Sequence, residues 1–133
     1  MADTVANTTL HNTKSRVVIS SAFTIDGTEA ADLVLADKSA FTGPDGTEPG
    51  RWVIEQLEYH ISGCQLKLEF DHTTDDVIAT LSGDGVMDFT GGGMFQGFVD
   101  PASAGATGDI VATTLNTDAG DTAHILLFLR KKD

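Results

Sequence analysis

The sequence is short of cysteine, proline, aromatic residues and positive charge: one Cys, three Pro, one Trp, one Tyr and only eight Lys plus Arg in 133 residues. A single cysteine, Cys64, excludes an intramolecular disulfide. It has no Cys or His neighbours in sequence, so it reads as a small packed residue rather than a metal ligand or nucleophile. No run of about 18 apolar residues is present, which excludes a membrane-spanning helix. The polar start MADTVANTTLHNTK lacks a hydrophobic signal core, so synthesis in the cytosol is expected. Against eight basic residues stand 20 acidic ones, a formal charge of −12. Such a surface repels nucleic acid and anionic membranes, and neither is expected as a partner.

What remains is a β-rich chain of one domain. A chain of this length buries roughly two-thirds of the surface its unfolded form exposes, so it needs no disulfide or metal staple. Residues 1–14 have only scattered apolar side chains and read as a flexible N-terminal arm, with residues 15–133 forming the folded domain. From Arg16 the chain alternates, with Val17, Ile19, Phe23 and Ile25 on one face. Asp26-Gly27 is a turn, and Glu29 to Leu35 leads into a short strand. Thr42 to Gly50, with two of the prolines, is an exposed loop. Arg51 to Ile61 is a strand that Ser62-Gly63 separates from a second one, in which Leu66, Leu68 and Phe70 face inward. A turn at Asp71 to Asp76 leads to Val77–Leu81, and Ser82 to Gly85 leads on to Val86–Phe89. Gly91 to Gly93 open a passage through Met94, Phe95 and Phe98. Ile110–Leu115 and Thr122–Arg130 then read as a closing hairpin. Its second strand carries five consecutive apolar residues, Ile125 to Leu129, and should lie centrally. About seven or eight strands with regular turn signals predict an all-β fold, an antiparallel β-sandwich of jelly-roll type.

No catalytic constellation emerges. There is no G-x-S-x-G elbow, and His11, His60, His72 and His124 fall in unrelated segments. Asp75, Asp76, Asp84, Asp88, Asp109, Asp118 and Asp121 occupy turns or their edges, where Asp bonds local backbone. Calcium is the cation such carboxylates would suit, but no D-x-[DN]-x-[DN]-G loop is present. Gly91 to Gly93, Gly105 and Gly108 match no phosphate-binding motif and read as bends. Trp52, Tyr59, Phe89, Phe95 and Phe98 could form either a sugar-stacking platform or core. The expectation is no enzyme, no cofactor, no metal and no catalytic residue.

Residues 51–131 carry an ordered set of short motifs: Leu66 to Asp75, Asp88-Phe89 with Gly91 to Gly93, Thr107-Gly108-Asp109-Ile110, Gly120-Asp121-Thr122, and the basic ending Arg130-Lys131-Lys132. In this order they resemble small all-β virion structural proteins of tailed bacteriophages. Ala123-His124 departs from the pattern, which has an aromatic after Gly-Asp-Thr, and the N-terminal third matches loosely. The resemblance implies a capsid cement or decoration protein on the outside of a phage head, a homo-oligomer (dimer or trimer) that bridges subunits of the major capsid protein. The alternative is a carbohydrate- or receptor-binding β-sandwich of a tail fibre or surface appendage, working through the aromatic platform.

Overall fold

The structure, a computed structural model, describes residues 2–43, 46–49, 51–72, 75–89, 98–99 and 107–132. Seven antiparallel strands and one two-residue strand, β6, form one sheet among the described residues: β1 (Thr4–Asn12), β2 (Arg16–Thr24), β3 (Leu33–Ala36), β4 (Arg51–Phe70), β5 (Asp76–Asp88), β6 (Phe98–Val99), β7 (Ile110–Leu115) and β8 (Thr122–Lys132). One turn of 3-10 helix, Lys38–Ala40, follows β3. No helix among the described residues is long and apolar enough to cross a membrane.

The order β1-β2-β8-β4-β7-β3, with β5 and β6 also on β4, makes β4 the spine. Its first half pairs with β8, from Arg51↔Lys132 to Ser62↔Thr122. Its second half pairs with β7, from Gln65↔Leu115 to Phe70↔Ile110. Because β5 lines one edge of both halves, β8 and β7 must share the other edge, one after the other. The expected closing hairpin is therefore absent: β7 and β8 have no ladder between them, and the excursion 116–121 separates two strands that each need β4. Central burial of β8 is as expected. Ile125, Leu127 and Leu129 are at most 1% exposed, between β2 and β4.

Ser62-Gly63 is likewise a bend and not a turn. The register with β5 slips between Ile61 and Leu66, and Gly63 sits at φ +90°, where a Cβ would fall 2.1 Å from Asp121 Oδ1. A second slip, between Ile54 and Gln56, reverses the side-chain alternation, so that Ile54 and Leu57, three residues apart, both face the core. Bulges bend and twist a strand. These two let a single twenty-residue strand serve both halves of the sheet. Ser82 to Gly85 also runs straight through, inside β5.

The bend carries β3 round towards β1, and Asn7 Nδ2 donates to the Val34 carbonyl at 2.8 Å. The result is a nearly closed, barrel-like sheet in place of the two facing sheets of the expected jelly-roll sandwich. A sandwich needs the chain to switch between separate sheets, whereas here the bent β4 keeps every strand in one. Inside lie Ile19, Trp52, Leu57, Leu66, Leu68, Phe70, Ile110 and Leu127, all at most 2% exposed. Full burial of an aliphatic or aromatic side chain of this kind contributes about 1.5–3 kcal/mol.

The stretch read as a flexible arm is the ordered edge strand β1, paired along β2 from Thr4↔Thr24 to Asn12↔Val17. It buries almost nothing; polar contacts hold it instead. At its start Asp3, 1% exposed, accepts hydrogen bonds from the Asp26 N–H at 2.9 Å and from Thr114 Oγ1 at 2.7 Å. In its middle Asn7 Oδ1 accepts from Ser21 Oγ at 2.7 Å. At its end Lys131, 4% exposed, donates through Nζ to Asn12 Oδ1 at 2.8 Å and to the carbonyls of Thr13 and Thr42, each at 2.6 Å.

Candidate functional site

The densest group of ionisable side chains lies where β4 ends. Glu69 is the penultimate residue of that strand, Asp75 precedes β5, and Asp32 precedes β3 in a left-handed conformation, φ 56°. Carboxylate oxygens of these three lie within 4.8 Å of one another. Glu69 is 5% exposed; Thr113 Oγ1 donates to it at 3.2 Å and Lys67 Nζ lies 3.9 Å away. The Asp32 N–H donates to the same Thr113 hydroxyl oxygen at 3.2 Å, which fixes Asp32 over β7. The His72 N–H donates to Asp75 Oδ1 at 3.0 Å.

These neighbours divide the titration of the pair. A hydrogen bond with Asp75, helped by burial and by the charges of Asp75, Glu69 and Asp71, pushes the Asp32 carboxyl up to about 6. Burial pushes Asp75 up too, but the His72 N–H and the contacts with Asp32 and Asp71 outweigh it and hold Asp75 below the usual range. Two carboxylates in contact cannot both ionise cheaply, so Asp32 and Asp75 share a proton below about pH 6. The three carboxylates are also the donor set a hard cation such as calcium takes.

The Thr-Gly-Asp-Ile motif braces this region. Thr107 Oγ1 donates to Asp71 Oδ2 at 2.8 Å, the Asp71 N–H to the Asp109 carbonyl at 3.0 Å, and the Lys38 N–H to Asp109 Oδ1 at 3.0 Å. Burial raises the Asp109 carboxyl above its usual range in spite of the Lys38 N–H. Gly-Asp-Thr works in the same way at the β4 bend, where Asp121 Oδ2 accepts the Asp118 N–H at 2.8 Å. Both motifs shape the backbone.

Of the four histidines, the sheet brings two together. His60 and His124 face each other across β4 and β8, in a row that the sequence alone did not reveal. Ser20 Oγ and His124 Nε2 are 2.8 Å apart; His60 lies 3.2 Å from Glu58 Oε1 and 3.4 Å from Asp84 Oδ1. Ser20 and His124 have the spacing of a nucleophile and its base. Among the described residues nothing bonds His124 Nδ1, so the third, orienting member of a triad is missing. The signal was present in the register, which pairs β2, β8 and β4, but no spacing within the sequence encodes it. His11 lies on exposed β1. His72 is buried, stacked on Phe70 at 6.5 Å, with Nδ1 2.8 Å from Asp76 Oδ2.

Trp52 is fully buried, edge-on to Phe41 at 5.3 Å. Tyr59 lies over Gly85, where a Cβ would come within 2.5 Å of its hydroxyl. The two rings therefore do not form the platform that sugar stacking needs. Gly91 to Gly93, Met94, Phe95 and Gly105 lie outside the described residues, and of Phe98 only the strand backbone is described. Cys64 is buried as expected, and burial pushes its thiol up.

The exposed surface offers a different kind of site. β5 pairs with β4 alone among the described strands. It carries Val77 and Val86, 55% and 57% exposed, and no Lys, Arg or Pro along its thirteen residues. No protein-family model matches the chain, and no curated protein matches it.

Proposed function

We propose that this chain is a non-enzymatic virion structural protein, a capsid cement or decoration protein that binds the outside of a phage head and bridges subunits of the major capsid protein. The observation that carries the reading is the β5 edge. An edge strand presents unpaired N–H and C=O groups, and natural proteins blunt such edges with Lys, Pro or cover. β5 carries Asp76, Asp84 and Asp88 but neither Lys nor Pro, and among the described residues it adds two exposed valines. An extended segment of a partner can lie along it, gaining main-chain hydrogen bonds from the edge and side-chain contacts from Val77 and Val86. Repetition over a symmetric shell turns modest contacts into firm attachment. The ordered motifs from Leu66 to Lys132 support the same reading.

The test is co-sedimentation with purified phage heads. Saturable binding that Val77→Asp with Val86→Asp weakens at least tenfold, with the circular dichroism spectrum retained, supports the reading. A chain that neither sediments with heads nor is found in purified virions overturns it.

A further inference from the structure

Six of the eight basic residues gather at one end of the β2-β8-β4 ladder, five of them at the surface and Lys131 buried beneath them. Arg16 faces Arg130, Arg51 faces Lys132 and Trp52 faces Lys131, and Lys14 lies in the turn that joins β1 to β2. The opposite end of the same ladder closes at Thr24↔Thr122 and Ser62↔Thr122. Around it stand Asp26, Glu29, Asp118 and Asp121, with no Lys or Arg in 2–13, 25–31 or 116–123. The ends are eight residue steps apart, roughly 26 Å at the rise of a strand. That is about three screening lengths at physiological salt, so each end meets a partner as a separate charge.

The basic end is also concave. His11, Arg16, Glu55, Gln56 and Phe128 line a hollow of about 290 Å³. Arg16 holds Glu55 through Nε at 2.9 Å and Nη2 at 3.4 Å, which leaves three of its five N–H donors directed elsewhere. The acidic end protrudes: Asp118, Ala119 and Gly120 are exposed, at the tip of the excursion between β7 and β8.

We infer that a second copy of this chain docks head to tail, the acidic 116–121 excursion of one copy seated on the basic end of the next. Charge complementarity selects this occupant. Nucleic acid would meet the same cations, and both it and a second copy, itself of net charge −12, are repelled at longer range, so the choice rests on the local match and the test below separates the two. A second copy supplies the matching acids on a projecting loop. Contact between unlike ends is heterologous, so it closes into a ring or runs on as a filament according to the rotation per subunit. The β5 edge is left free, and the inference stands or falls independently of capsid binding.

Sedimentation velocity of the full chain tests this in low and high salt. The expected result is an oligomer in 20 mM salt whose apparent Kd rises at least tenfold in 500 mM salt. Lys14→Glu with Lys132→Glu should give a monomer, and so should Asp118→Lys with Ala119→Lys. All four side chains are exposed, and circular dichroism controls for folding. Mixing the two variants should restore association, because each keeps the end that the other has lost. A monomer in all salts overturns the inference. So does an oligomer that none of these substitutions changes, which would point to strand-edge pairing, and so does failure of the mixture to associate. A wild-type monomer that binds single-stranded DNA, and loses it in Lys14→Glu with Lys132→Glu, overturns the inference in favour of nucleic acid.

Discussion

The two ends of β1 are held by buried charges of opposite sign, and the difference between them shows when burial of a charge is tolerated. Asp3 at one end accepts from a backbone N–H and a threonine hydroxyl. Burial pushes its carboxyl up, yet those donors outweigh burial and hold it below the usual range. Lys131 at the other end donates to three neutral oxygens, with the Phe41 ring 5.7 Å away. There burial prevails and lowers the lysine below its usual range. Neither charge has an oppositely charged partner among these contacts. The carboxylate is held by donors that compensate its desolvation, whereas the ammonium is retained although its acceptors compensate only in part.

The contrast breaks most visibly at Lys131. Lys131→Met leaves the Asn12 side chain and the Thr13 and Thr42 carbonyls without their donor. The loss of charge-assisted bonds, less the relieved desolvation, should cost about 3 kcal/mol. Urea denaturation at pH 7 reads this, and amide exchange should quicken first at residues 10–13; a loss under about 1 kcal/mol would show that the ammonium is not what holds this end. Asp3→Ala frees the opposite end at a cost of about 2 kcal/mol, with exchange quickening at residues 4–6. Asn7→Ala removes the side chain that bridges β1 to Val34 and Ser21. About 1 kcal/mol is expected, with both ends of β1 unchanged.

β1 also shows what a sequence conceals. Residues 1–14 read as an arm because hydrophobic periodicity is the main strand signal and this strand has almost none. Its order comes from Asp3, Asn7 and Lys131, whose partners lie 14 to 119 residues away in the chain. Strands with a buried face, such as β2 and β8, were legible from their alternation and their apolar runs. The bends were not. Ser62-Gly63 and Ser82 to Gly85 have turn composition, but the first sits in β4, flanked by β5 and β8, and the second in β5, paired along β4. The missing β7–β8 ladder follows from that error, since a continuous β4 offers each of them an edge. At the candidate site, the turn roles of Asp75, Asp109 and Asp121 were legible from local chemistry. The approach of Asp32 to Glu69 and Asp75 was not, because it depends on how β3 meets β7.

The smallest effect is in pH, where the contrast can be extended from β1 to the Asp32 cluster. Asp3 has a folded-state pKa below its ordinary 3.8, so between those values the unfolded chain binds more protons. Its contribution is complete above pH 3.8 and is lost as pH falls through the lowered pKa. Asp32 runs the other way. Its folded-state pKa is about 6 against 3.8, so the folded chain binds more protons in that window and stability declines as pH rises through it. Asp32 is exposed, and solvent screening limits the decline to under about 1 kcal/mol. Denaturation midpoints at pH 4.5 and 7 should therefore differ slightly in favour of the lower pH. Asp32→Asn should shrink that difference, leaving the part due to Asp109, whose buried carboxyl is also raised, and the acid-side loss due to Asp3 in place, whereas Asp3→Asn should remove the acid-side loss alone. If Asp32→Asn left the decline between pH 4 and 6 intact, the shared proton with Asp75 would not be its source.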